Sequence, residues 1–247
     1  MPYTSLDPDK ILATAERLRN RVRDRFPGTG LEKVAVELVS LSLQTDRQAR
    51  DLEKPIFMLR LILWIGVAIG ALVFFLIGRF LTFDRISTGA FDFVQGVEAS
   101  INTLVLAGIG FITLAKTEER IKRRKVMDGL HQLRSMIHII DMHQLTKDPI
   151  MLTGKVKRMP SSPAHSLSPN DLERYLNYCS EMLAIIGKLA ALYAQSVPDI
   201  EVVDAVNDVE TLGANLSRKI WQKIMLIDPI TVYTAKKTTA KKRKPSA

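Results

Sequence analysis

Apolar residues recur along most of this chain at three- and four-residue spacing, the period of helices that bury one stripe. Over 7–26 the stripe is Ile11, Ala15, Leu18 and Val22. Asp7-Pro8 opens that segment and Phe26-Pro27-Gly28 closes it. Over 30–54 it is Leu31, Val34, Leu38 and Leu41, with Thr29 and Glu32 spaced as a capping box. Downstream of residue 117 it is Val126, Leu130, Leu133, Ile137 and Ile140, as far as the stop at Asp148-Pro149. Ser168-Pro169 opens a further helix carrying Leu172, Leu176, Cys179, Leu183, Ile186, Ala190 and Tyr193. Pro198-Asp199 opens the last, with Val202, Val206, Val209, Leu216 and Ile220 inward and Asp228-Pro229 as its stop. Strand alternation and hairpin turns are absent from this pattern. Tyr175, Tyr178, Met182 and Trp221 are expected in the core or at packing interfaces.

The pattern breaks twice. Leu61–Gly78 is 18 residues without a charge and apolar on every side. As a helix it covers about 27 Å, close to the hydrocarbon thickness of a bilayer. It starts too far along the chain for a cleaved leader. Ala99–Ala115 is a second uncharged run of 17 residues, diluted by Ser100, Asn102, Thr103 and Thr113. Together they predict an all-α membrane protein: a two-helix transmembrane hairpin with a cytoplasmic helical bundle or coiled-coil domain formed by the N- and C-terminal segments. The organisation expected is an N-terminal helical hairpin at 1–55, spans at 56–79 and 99–116, and a short outer connection at 80–98. A cytoplasmic helix follows at 117–148, then a Pro/Ser-rich linker at 149–168, a C-terminal helical hairpin at 169–230 and a disordered basic tail at 231–247. Phe80, Phe83, Phe91 and Phe93 in the connection suit the membrane interface. Small residues stripe both spans, Gly66 and Gly70 in the first, Ala99, Thr103 and Ala107 in the second, a spacing that lets helices approach closely in lipid.

Charge sets the orientation. Arg47, Arg50 and Lys54 precede the first span; Lys116, Arg120, Lys122, Arg123, Arg124 and Lys125 follow the second; only Arg79 and Arg85 lie between. The positive-inside rule then puts both termini in the cytoplasm, and a bacterial inner membrane suits so compact a design. The 247 residues carry a net charge of +9, but that charge is local. Without 116–125 and the tail lysines and arginine, 23 bases face 24 acids. Nucleic acid is thereby disfavoured as a partner, and anionic inner-leaflet lipid is favoured, with Arg120, Lys122, Arg123, Arg124 and Lys125 as contacts. The other partner expected is protein, either a second copy or a different chain, held by the cytoplasmic helices.

Candidate chemistry is sparse. One cysteine excludes a disulfide framework or a Cys-rich metal module. The chain has no P-loop, HExxH, CxxC or GxSxG, and no cofactor is implied. His131, Arg134, His138 and Asp141 share one face of their helix, away from the Leu133/Ile140 stripe; His143 lies off that face. His131 and His138 are about 10.5 Å apart along the axis, too far to hold one ion. His138 and Asp141 amount to half a metal site, to be completed by Asp171 or Glu173 from another helix; the alternative is a pH-sensing surface. The function expected is a membrane scaffold or regulator. An oligomeric channel lined by Asn102, Thr103 and Thr113, or a membrane-perturbing effector, is the alternative, and a metal-dependent membrane enzyme the weaker one.

Overall fold

A computed structural model describes residues 5–80, 90–153, 159–160 and 167–242; residues 81–89 of the expected connection, most of the Pro/Ser-rich linker and the last five residues lie outside the described residues, while 90–98, expected in that connection, are helical. Among the described residues the helices follow in order: α1 Pro8–Arg25, α2 Gly30–Glu53, α3 Phe57–Phe80, α4 Ala90–Leu145, α5 Pro169–Ser196 and α6 Ile200–Lys242, with a 3₁₀ turn at Pro149–Thr153. Among the described residues there is no strand.

The helix starts follow from local hydrogen bonds. Asp7 accepts from the backbone N–H groups of Asp9 and Lys10 and caps α1 ahead of Pro8. Ser168 caps α5 by accepting from the Asp171 N–H at 3.1 Å, and Asp199 accepts from Glu201 and Val202 at the head of α6. The start of α2 modifies the capping box. Thr29 Oγ1 accepts from the Glu32 N–H at 3.4 Å, but the Glu32 carboxylate reaches back one residue further and accepts from Gly28. Gly28 makes that reach possible with φ +70°, a conformation costly for any residue with a Cβ.

The chain forms two compact units, Leu52–Lys125 on one side of the division and Met1–Asp51 with Val126–Ala247 on the other. In the larger unit α1, α2, the C-terminal part of α4, α5 and α6 share a core that contains every stripe residue named above. Tyr175, Tyr178 and Met182 are buried with them, and Phe26 meets both tyrosines edge-on with ring centroids at 5.6 and 6.2 Å. Ile186 belongs wholly to this core, so a charge placed there would unfold the unit. Trp221 departs from expectation. It sits about 100° round α6 from Ile220 and about 60° from Ile224, which occupy the core, and is 60% exposed.

Two glycines set how closely helices meet. A Cβ on Gly129 of α4 would collide with the Tyr193 hydroxyl and ring of α5, and a Cβ on Gly30 with the His143 ring. The Tyr193 hydroxyl donates to Gln48 Oε1, so one tyrosine joins α2 and α5 beneath α4.

The end of α6 also departs from the sequence expectation. The helix runs through Asp228-Pro229 to Lys242 instead of stopping there or yielding to a disordered tail. Pro229 removes one helical N–H, leaving the carbonyl of residue 225, where the side chain is exposed and water can reach.

In the smaller unit, α3 and the first part of α4 are each long and apolar enough to cross a membrane, with windows of mean hydropathy 2.4 and 1.2, and neither window is buried. The Ile56 N–H, just ahead of α3, donates to Glu118 Oε1 of α4 at 3.2 Å, and Lys122 pairs with the same oxygen at 3.2 Å. A carboxylate suits the exposed donors at a helix N-terminus, so Glu118 ties the start of α3 to α4.

Candidate functional site

His131, Arg134 and His138 are exposed along α4. Asp141, one turn further on, is half-buried and engaged, accepting from Gln144 Nε2 at 2.6 Å. Of the residues that could complete a metal site, Asp171 caps α5 through Ser168 and pairs with Arg25 at 2.9 Å. The Ser168 hydroxyl first, and then Arg25, hold its carboxyl below the ordinary carboxylate range. Among the described residues no three His, Cys, Asp or Glu side chains come together as ligands. The half-buried His143 ring lies instead against the first turn of α2, at Gly30.

The polar cluster that does form was not legible in advance. Gln144 is 2% exposed, yet every face of its amide is used. Its nitrogen donates to Asp141, its Oε1 accepts from Lys223 Nζ of α6 at 2.6 Å, and its backbone carbonyl accepts from the same amine at 2.9 Å. Burial lowers the Lys223 pKa from the usual lysine value, while Asp148 and Asp141 oppose that shift. Tyr175 closes the cluster from α5: its hydroxyl donates to the His143 carbonyl at 3.5 Å and Lys147 Nζ stands 5.3 Å from its ring centroid. Burial, helped by the nearby Cys179, raises the tyrosine hydroxyl well above its ordinary value.

The one cysteine, Cys179, is fully buried, and burial pushes its thiol up to about 12. A nucleophilic cysteine needs the opposite shift and access to solvent, so Cys179 is a packing residue. These features describe a helix clamp. It binds the C-terminal end of α4 to α6, and it does not present a reacting atom to solvent.

The other expected sites are surface features. Arg120, Arg124 and Lys125 are exposed on α4 beyond its apolar part, while Arg123 and Lys122 are half-buried, the latter beside Glu118. A Cβ added at Gly66 or Gly70 would meet nothing within 4 Å, so neither brings α3 close to another helix among the described residues. Thr103 and Ala107 are likewise exposed. The Thr113 hydroxyl donates to the Ile109 carbonyl of its own helix at 2.8 Å, which satisfies it without a pore. An open cleft of about 520 Å³ runs between the start of α1 and α5, walled by Leu6, Ile11 and Ile185 and rimmed by Lys10, Lys188 and Glu181. Glu181 is already paired with Arg21, and the rim carries both signs of charge, so the cleft selects no class of ligand. Set against known proteins, the chain matches no family model, no curated protein and no solved structure.

Proposed function

We propose that this chain is an integral membrane scaffold or regulatory protein. In this reading α3 and the apolar part of α4 cross the bilayer as a hairpin with both termini in the cytoplasm, in a bacterial inner membrane. The N- and C-terminal helices form a bundle that associates with a second copy or another protein. Arg120, Lys122, Arg123, Arg124 and Lys125 meet the anionic headgroups of the inner leaflet.

One observation carries the reading, and it lies within a single helix. On α4, Leu104 is 76% exposed and Leu106 70%, whereas Leu133 further along is fully buried. A helix apolar all round and unburied is stable in hydrocarbon and costly in water. The rest of the molecule supports association in preference to catalysis, because its titratable cluster is half-buried and internally paired.

Two measurements test this. Alkaline carbonate should leave the full-length protein in the membrane pellet; release into the supernatant would refute the anchor. Light scattering in mild detergent, corrected for bound detergent, should give either a multiple of the 27.7 kDa chain, meaning self-association, or the monomer mass, in which case crosslinking in intact membranes should trap a different protein. A monomer with no crosslinked species would refute the scaffold.

A further inference from the structure

The charges on α6 are segregated along its length. Ile200–Ser217 carries Glu201, Asp204, Asp208 and Glu210 and no base; from Arg218 to Lys242 there are seven bases, Arg218, Lys219, Lys223, Lys236, Lys237, Lys241 and Lys242, and the single acid Asp228. Lys223 is turned inward to Gln144. The others lie on a stretch that also shows apolar side chains to solvent: Trp221 at 60%, Met225 at 62% and Leu226 at 51% exposure.

Trp221 and Met225 stand one turn apart, and with exposed Arg218 and Gln222 they fall within an arc of about 100° on the helix. That arc contains no acid. Tryptophan and methionine beside Arg218, with Asp228 just outside the arc as the one acid of the stretch, form a face disfavoured in water and suited to the boundary between headgroups and acyl chains. A protein partner would need matching acidic and apolar groups, whereas an anionic bilayer supplies both along the whole cationic half of the helix.

We infer that the C-terminal half of α6 is a second, peripheral membrane contact, in which Trp221 and Met225 enter the interfacial layer of an anionic leaflet and Arg218 and Lys219 meet its phosphates. This rests on the anchor reading above, and it assigns the soluble unit a lipid surface of its own.

The chain's two tryptophans separate the two ideas. Trp64 lies on α3 and Trp221 on α6, so W64F isolates Trp221 and W221F isolates Trp64. Each full-length variant is reconstituted into vesicles of phosphatidylcholine, alone or with about one-third phosphatidylglycerol, with and without brominated acyl chains. Trp221 emission should fall about twofold with brominated lipid in the anionic vesicles, and far less in neutral vesicles or at high salt. Adding Met225→Glu to W64F should abolish most of that quenching, at a position too exposed to disturb the core.

Trp221 that stays open to acrylamide and indifferent to brominated lipid in anionic vesicles would overturn the inference. So would shielding from acrylamide regardless of lipid charge, which would mean protein covers the face, or quenching unchanged by Met225→Glu. Trp64 tests the anchor independently: if brominated lipid fails to quench it, the transmembrane reading falls, while the Trp221 signal still decides whether the α6 face meets lipid.

Discussion

The two ends of α4 are built from the same kinds of residue and have opposite surroundings. Around Leu104 and Leu106 the helix is uncharged and largely apolar, and nothing among the described residues covers it. Around Leu133, Ile137 and Ile140 the apolar residues form one stripe, and that stripe is fully enclosed by neighbouring helices. The difference lies in the distribution of polar residues round the axis, since leucine and isoleucine serve both ends. Where polar residues fill the remaining faces, other helices bury the stripe; where they thin out, the helix stays uncovered among the described residues, which is compatible with a membrane.

Paired substitutions break that comparison most sharply. Leu133→Asp should abolish folding of the helical unit, at a cost of more than about 4 kcal/mol, because an unpaired carboxylate would replace a fully buried side chain. Leu104→Asp should leave the cooperative urea transition of that unit in place and impair membrane insertion instead, by about 3 kcal/mol at the centre of a span. The check is the circular-dichroism melt of each variant in detergent alongside its carbonate-resistant fraction. If both variants lose the same property, the two ends do not live in different solvents.

A smaller effect is expected where α4 meets α5. Gly129→Ala forces a methyl group into the Tyr193 hydroxyl and should cost about 1–3 kcal/mol in urea unfolding. By contrast Gly66→Ala and Gly70→Ala, where the space is open, should leave that transition unchanged.

The smallest effect concerns pH. The Cys179 thiol is held up at about 12 in the folded chain, against 9.0 when unfolded. Between those values the unfolded state has already lost a proton that the folded state retains, so stability falls as pH rises, approaching about 1.4 kcal/mol per pH unit. Tyr175 and Tyr193, both raised mainly by burial, add a decline above pH 10, while Lys223, lowered by burial, works against it. Cys179→Ala should flatten the part between pH 9 and 10, read from urea midpoints at each pH. An unchanged slope would place the titration elsewhere.

What could be read in advance was whatever lies within one helix. The 3-4 stripes name buried residues on all five helical segments of the larger unit, because periodicity is a local property and burial follows from it. The shared face of His131, Arg134 and His138 is local in the same sense, and all three are exposed. Pairings across the chain were not legible. Gln144 meets Lys223 across 79 residues and Tyr193 meets Gln48 across 145, with nothing in either neighbourhood to announce the partner. Asp141 therefore looked like half a metal site when its business is with Gln144. Trp221 misled for another reason: its size suggested the core, but its angle on α6 sets it outside. Asp228-Pro229 looked like a stop, yet α6 continues through it.

Because the chain's one thiol is sealed in the core and resists ionisation, the folded protein is chemically mute toward maleimides and other thiol labels at neutral pH. Any cysteine introduced at the surface would then react alone. A single new cysteine in residues 81–89, compared with one among residues 243–247, would test whether the two segments are labelled from opposite sides of a membrane, as the proposed hairpin requires, with no need to remove the native residue and disturb the packing around it.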